Sequence, residues 1–196
     1  MTTIPSGEYP SAVAVNPVTN KVYVTNRDGG DLTVIDGDDS STVTLAVGAM
    51  PYAVAVNPVT NKVYAATTYD NSVAVVDGAS DVALTVPAGE QPSGIAVNPV
   101  TGRAYVANYS DHTVSVIDGA TLDTIIVPAG LSPYAAAVNP VTNRAYVTNY
   151  NDHTVTVIDG ATNDTTIDPV GEYPGAVAVN PATNMVYVAN RGTYDV

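Results

Sequence analysis

Asp111-His112 and Asp152-His153 contain the chain's two histidines, 41 residues apart and each preceded by a carboxylate. Imidazole beside carboxylate is a pairing used for metal ligation and for proton transfer. One shared ion would need both imidazoles about 2.0–2.1 Å away. If the two loops belong to adjacent sheets radiating from an axis, with strands about 4.8 Å apart, they stand roughly 15 Å from each other. They are therefore expected to be exposed loop histidines, with no metal and no cofactor. Aspartate also precedes glycine at Asp36, Asp77, Asp118 and Asp159, with Asp38 and Asp39 adding carboxylates in the first copy alone. Calcium takes six to eight oxygens, usually from several carboxylates of one loop, so these read as hairpin turns. No GxSxG elbow, P-loop or GxGxxG is present, and no serine carries an activation signature. Catalysis is not expected. Asn108-Tyr-Ser110 and Asn163-Asp-Thr165 match the N-glycosylation pattern.

The elements that position these residues recur. NPVTNKVYVTN begins at Asn16 and returns with small changes at Asn57, Asn98, Asn139 and Asn180, always 41 residues on. Residues 98–121 and 139–162 differ at only four of 24 positions, which points to recent or engineered duplication. Within a copy, Ala12–Val15 is a short apolar run closed by Asn16-Pro17. Lys21–Thr25 is β-branched and aromatic, Leu32–Ile35 follows Arg27–Gly30, and Thr42–Leu45 follows Asp36-Gly37. Four short antiparallel strands per 41 residues predict a propeller blade. Helical repeats fail because no ten-residue window is 3.6-periodic and free of Gly and Pro.

Composition bounds the rest. The 196 residues are 45% apolar with no Phe, Trp or Cys, so Val, Ala, Ile and thirteen Tyr must fill the core and disulfides are excluded. Net charge is −13, which removes the basic footprint needed for nucleic acid or anionic membranes. No apolar run is long enough to span a bilayer as a helix, and MTTIPSGEYP has neither the basic nor the apolar region of a signal peptide.

The first strands read AVAV, AVAV, GIAV, AAAV and AVAV, as expected where blades converge on an axis. Bulky Tyr23, Tyr64, Tyr105, Tyr146 and Tyr187 come in the second strand, where blades have diverged. With NPVTN before it and VIDG after it, the second strand (YVTN, YAAT, YVAN, YVTN, YVAN) resembles the YVTN family of β-propeller repeats across essentially the whole chain. The resemblance implies a surface-layer-like protein, extracellular or at the cell surface. It departs from the family in having five inner strands where seven blades are common.

The expected fold is thus all-β: one domain over residues 1–196, with five blades of four strands. Residues 1–10 match 165–174, and Val196 matches Val155. The segment 1–4 is therefore expected to close the last blade as its outer strand, giving a monomer if closure is in cis and a strand-exchanged oligomer otherwise. Lys21–Asp36, Lys62–Asp77, Arg103–Asp118 and Arg144–Asp159 are expected to pair across neighbouring strands.

One face of the disc carries the nearly invariant turns. The other carries loops that vary between blades, and variable loops on a rigid scaffold are where binding concentrates. The candidate ligand-binding residues lie there: Glu8, Tyr9, Arg27 and Asp28 in the first unit, then Tyr69 and Asp70. Tyr109, Asp111 and His112 follow, then Tyr150, Asp152 and His153, and finally Glu172, Tyr173, Arg191 and Tyr194. The expected function is a non-enzymatic binding or structural module for a glycan or protein. A lactonase-like hydrolase and a designed or recombined symmetric repeat scaffold without a natural ligand are the alternatives.

Overall fold

Runs of Val, Ala, Ile, Thr and Tyr, broken every few positions by Asn-Pro or Asp-Gly, form eighteen strands in the computed structural model, which describes residues 3–196. The first blade is β1 (Pro10–Asn16), β2 (Lys21–Asn26), β3 (Asp31–Asp36) and β4 (Thr42–Ala46). The second is β5 (Pro51–Asn57), β6 (Lys62–Thr67), β7 (Ser72–Asp77) and β8 (Val82–Pro87). The third is β9 (Pro92–Val97), β10 (Ala104–Asn108), β11 (Thr113–Ile117) and β12 (Thr124–Pro128). The fourth is β13 (Pro133–Asn139), β14 (Arg144–Asn149), β15 (Thr154–Asp159) and β16 (Thr165–Pro169). The fifth has β17 (Pro174–Asn180) and β18 (Met185–Asn190), plus a single bridge from Asn190 to Asp195. Each sheet is an antiparallel meander, and β1, β5, β9, β13 and β17 lie side by side along the inside.

Both invariant turns are built by a side chain that caps its own loop. Asn16 Oδ1 accepts the Val18 N–H at 3.0 Å, and Asn57, Asn98, Asn139 and Asn180 repeat the bond. Asp77, Asp118 and Asp159 accept two backbone N–H groups each. Those bonds hold the three carboxyls below their ordinary range. The Asp-Gly turn is longer than the tight hairpin expected, and its left-handed residue is Ser40, Asp81, Leu122 or Asn163. The glycine serves close approach instead: a Cβ on Gly78 would sit 2.8 Å from the Tyr23 hydroxyl of the preceding blade.

The core lies between blades. Tyr23, Leu32 and Val34 pack on Val63, Ala65, Ala74 and Val76 of the next sheet, and two equivalent clusters follow. Tyr23, Tyr64 and Tyr105 are fully buried, as size grading with radius requires, and burial pushes the Tyr64 hydroxyl up to about 12. The inner strands are only half-buried, because one side faces the lumen.

The expected ion pairs do not form. Register does set Lys21 opposite Asp36, Lys62 opposite Asp77 and Arg144 opposite Asp159. Three of the basic side chains nevertheless reach forward to the next blade's Asp-Gly turn. Lys21 Nζ donates to Gly78 O (2.9 Å) and meets Asp81 (3.2 Å), Lys62 donates to Gly119 O, and Arg103 to Gly160 O (2.6 Å). At Asp77, Asp118 and Asp159 the carboxylate opposite is already taken by its turn N–H groups.

The last blade shows two strands. Of the segment expected to complete it, Met1 and Thr2 lie outside the described residues, and Thr3 and Ile4 are in no sheet. The stretch that follows is held on the first blade, where Arg27 N donates to Tyr9 O (2.9 Å) and Gly7 N to Thr33 Oγ1 (3.3 Å). Among the described residues one flank of each terminal blade is exposed: Val13 is 65% and Val15 56% exposed, and Tyr187 is 47% exposed.

Candidate functional site: a tyrosine cluster on the variable face

Each loop between second and third strands rests on the loop that enters its own blade. Tyr109 N donates to Gln91 O (3.0 Å), Tyr150 N to Ser132 O (2.9 Å) and Arg191 N to Tyr173 O (3.1 Å). The entering loops turn on left-handed residues, Tyr9, Met50, Gln91, Ser132 and Tyr173, at φ 53–57.

Several predicted binding residues turn out to brace these loops. Asp70 accepts the Ala49 N–H (2.6 Å), and Asp111 accepts Glu90 N–H (3.0 Å) and the Thr113 hydroxyl (2.8 Å). Asp152 Oδ2 stands against Gly130, where an added Cβ would meet it at 2.6 Å. His112 Nδ1 accepts from Ser132 N (3.1 Å) and His153 Nδ1 from Tyr173 N (3.0 Å). In the second blade Asn71 Oδ1 does the same for Gln91 N (3.0 Å). Both histidines therefore accept through Nδ1 in separate loops; His112 is exposed and His153 half-buried. Among the described residues no group of three His, Cys, Asp or Glu is placed to hold a metal ion.

The tyrosines behave differently. Tyr109, Tyr134, Tyr150 and Tyr173 form a chain, with centroid separations of 6.5, 5.9 and 5.3 Å. His153 meets Tyr173 edge-on at 4.8 Å. The Arg191 guanidinium lies 5.8 Å from the Tyr134 centroid and 5.9 Å from that of Tyr150. Tyr52 of the second blade reaches past the third to join its hydroxyl to that of Tyr134 at 3.1 Å. That bond, then burial, raises the Tyr52 hydroxyl above its ordinary range, while Arg27 and Arg191 pull it down. Beside this cluster is an apolar cleft of about 210 Å³ lined by Met50, Tyr52, Gln91, Ser93, Tyr109 and Tyr134. Small-molecule pockets usually run from about 300 to 1,000 Å³, so the feature is a platform rather than an enclosed cavity.

Other predicted residues stay apart. Tyr9 stacks with Arg27 (5.6 Å), which also meets Asp28 at 3.3 Å. Tyr69 lines a groove between the first two blades, and Tyr194 is 92% exposed with no aromatic partner among the described residues. Glu8 and Glu172 are exposed. Asn108 is buried and donates to Thr113 and Ser115 at 2.9 Å each, so its glycosylation pattern is closed in the fold. Tyr52 and Tyr134 were not among the predicted residues. Their signal was the column Ser11, Tyr52, Ser93, Tyr134 and Gly175, one residue ahead of the apolar run that marks each inner strand.

No protein-family model matches the chain, and no curated protein matches it. Solved structures do. Kuenenia stuttgartiensis hydrazine synthase superposes with TM-score 0.80 at 20% identity, over 96% of this chain and 57% of that one. A functionally unknown protein from Desulfotomaculum acetoxidans gives TM-score 0.78 at 18% identity, over 95% of this chain and 64% of that one. The RRP9 WD40 repeats give TM-score 0.76 at 12% identity, over 89% and 56%. The chain spans less than two thirds of each. At such identities the likeness concerns fold alone, and that fold is a β-propeller.

Proposed function

We propose that the chain is a non-enzymatic binding module, of the YVTN surface-layer-like kind and displayed at the cell surface, that engages a glycan or protein through the tyrosine cluster of its variable face. One observation carries the reading: three loop tyrosines, Tyr109, Tyr150 and Tyr173, are joined through Tyr134 at the start of β13 into a single aromatic platform. Tyrosine presents a flat apolar face with a hydroxyl at its rim and loses little side-chain entropy on binding. Carboxylates and imidazoles that could serve catalysis are engaged with backbone N–H groups. That favours binding over a lactonase-like reaction. Replacing Tyr109 and Tyr150 with Ala, then screening parent and variant against cell-surface glycans and surface proteins, tests this. The parent should capture a ligand that the variant loses. Equal capture by both, or capture that maps to the Asn-Pro turn face, would overturn it, and no capture by either would favour the scaffold alternative.

A further inference from the structure

The fifth blade combines a glycine with an arginine, the arginine position being shared with Arg27 of the first blade. Its inner strand has Gly175 where the others have Ser11, Tyr52, Ser93 and Tyr134, and its loop has Arg191 where the middle three blades have Thr68, Tyr109 and Tyr150. The two changes fit each other, because a Cβ at Gly175 would lie 2.5 Å from Arg191 Nε. The missing side chain lets the guanidinium lie across to Tyr134 and Tyr150. Arg191 is exposed, and among the described residues it makes no side-chain hydrogen bond and no ion pair. Of the carboxylates in its own blade, Asp195 accepts from Asn190 (2.7 Å) and Thr193 (2.9 Å), and exposed Glu172 lies against Gly192 without an ion pair to Arg191.

Building on the binding role proposed above, we infer that the tyrosine platform takes a carboxylate-bearing saccharide, with Arg191 as the anchor for its carboxylate. A guanidinium presents a planar fork of donors that matches a carboxylate two-to-two. Stacking on tyrosine fixes that fork without neutralising it. The flat faces of Tyr109 and Tyr150 suit the apolar face of a sugar ring. Gln91 and Asn151 beside them are exposed and carry donors and acceptors for hydroxyls, with Asn151 held by a 2.8 Å bond to buried Ser132. The chain's net charge of −13 opposes an anionic ligand at long range. Salt screens that repulsion over about 8 Å at physiological strength but leaves a contact pair largely intact. Affinity should therefore rise with salt at low ionic strength, opposite to a surface that binds by its net charge.

Calorimetric titration with trigalacturonic acid and with its fully methyl-esterified form isolates the carboxylate on a constant ring skeleton. The acid should bind at least about tenfold more tightly than the ester. Arg191→Gln should erase that difference, Arg191→Lys should keep part of it, and Tyr150→Ala should weaken both sugars. Equal affinities for acid and ester, or a preference that survives Arg191→Gln, would overturn the inference. So would tighter binding of a hexaglutamate peptide than of either sugar. If Arg191→Gln fails to fold, the parent's acid-to-ester ratio and Arg191→Lys decide. If neither sugar binds but a partner dependent on Tyr109 and Tyr150 emerges from the screen, this inference falls and the binding role stands. If nothing binds, both fall.

Discussion

Gly102→Asn should stabilise the protein, and the reason is one missing bond. On the invariant face, an asparagine that closes an inner strand donates from Nδ2 to an asparagine of the next blade. Asn16 donates to Asn61 (2.8 Å), Asn98 to Asn143 (2.9 Å) and Asn139 to Asn184 (3.0 Å). The third blade has Gly102 at the accepting position, and Asn57 Nδ2 is buried with no partner. Gly102 sits at φ +76 with nothing within 4 Å of a built Cβ, while Asn20, Asn61, Asn143 and Asn184 hold the same turn position at φ 53–59. Asparagine tolerates that region better than other side chains. A satisfied hydrogen bond contributes about 0.5–1.5 kcal/mol, and relieving a buried orphan donor about 1–3. Replacing glycine adds about 0.4–1 kcal/mol through the unfolded chain. Allowing for residual left-handed strain, the gain should be about 1–3 kcal/mol, or about 3–8 °C in Tm for a chain of this size. Calorimetry and denaturant titration at pH 7 would measure it. Asn61→Gly should cost a similar amount by orphaning Asn16, and Gly102→Ala should lower Tm because it adds strain and no acceptor. If Gly102→Asn melts at or below the parent while Asn61→Gly falls as expected, the reasoning is refuted.

His153→Asn should leave Tm within about 2 °C, because Asn71 already performs that acceptor role, whereas His153→Ala should lower stability by about 0.5–1.5 kcal/mol. Equal melting of the two variants would show that the Nδ1 bond is irrelevant. Asp77, Asp118 and Asp159 have carboxyls below their ordinary range in the fold. The stability they contribute is present above the unfolded value of about 3.9 and lost as pH falls through the folded values. Replacing all three with Asn should flatten the decline of Tm below about pH 4, and an unchanged acid profile would contradict this. Tyr23, Tyr64 and Tyr105 have raised hydroxyls, so their contribution is whole below the unfolded value of about 10 and lost as pH climbs towards the folded ones. In a phenolate absorbance titration these tyrosines should ionise only as the fold is lost; thirteen equivalent tyrosines titrating before unfolding would refute it.

The architecture was legible because a blade is written by local chemistry. Asn-Pro, Asp-Gly and small-to-large grading each act within one 41-residue copy, and repetition multiplied the signal. What crosses between blades was harder to read. Lys21 opposite Asp36 looked like a pair in register, but the lysine's partner is Gly78, 57 residues on, which no within-copy comparison suggests. On the variable face, Tyr109 and Tyr150 were expected on one face of the disc, and the ring that stands between them is Tyr134. Tyr134 and Tyr52 were hidden because they belong to strand ends rather than to loops. Asp111 and His153 were legible as polar but not as acceptors already taken, since backbone N–H groups leave no mark in the sequence.

Because every core cluster lies between two sheets and none within one, an arc of blades behaves as a one-dimensional chain of contacts in which stability resides in the joints. Among the described residues the second and third blades have a buried cluster on both flanks and the first has one on a single flank, while no buried cluster joins the fifth blade to the fourth. Amide exchange should be slowest at the centre, around Tyr105 and Val114, and should quicken outward in steps of one blade, so that opening runs inward from both terminal blades. The tyrosine platform straddles that gradient: Tyr109 belongs to the central blade and Arg191 to a terminal one. A ligand gripping both would clamp the most mobile sheet to the most rigid and slow exchange far from its own contacts.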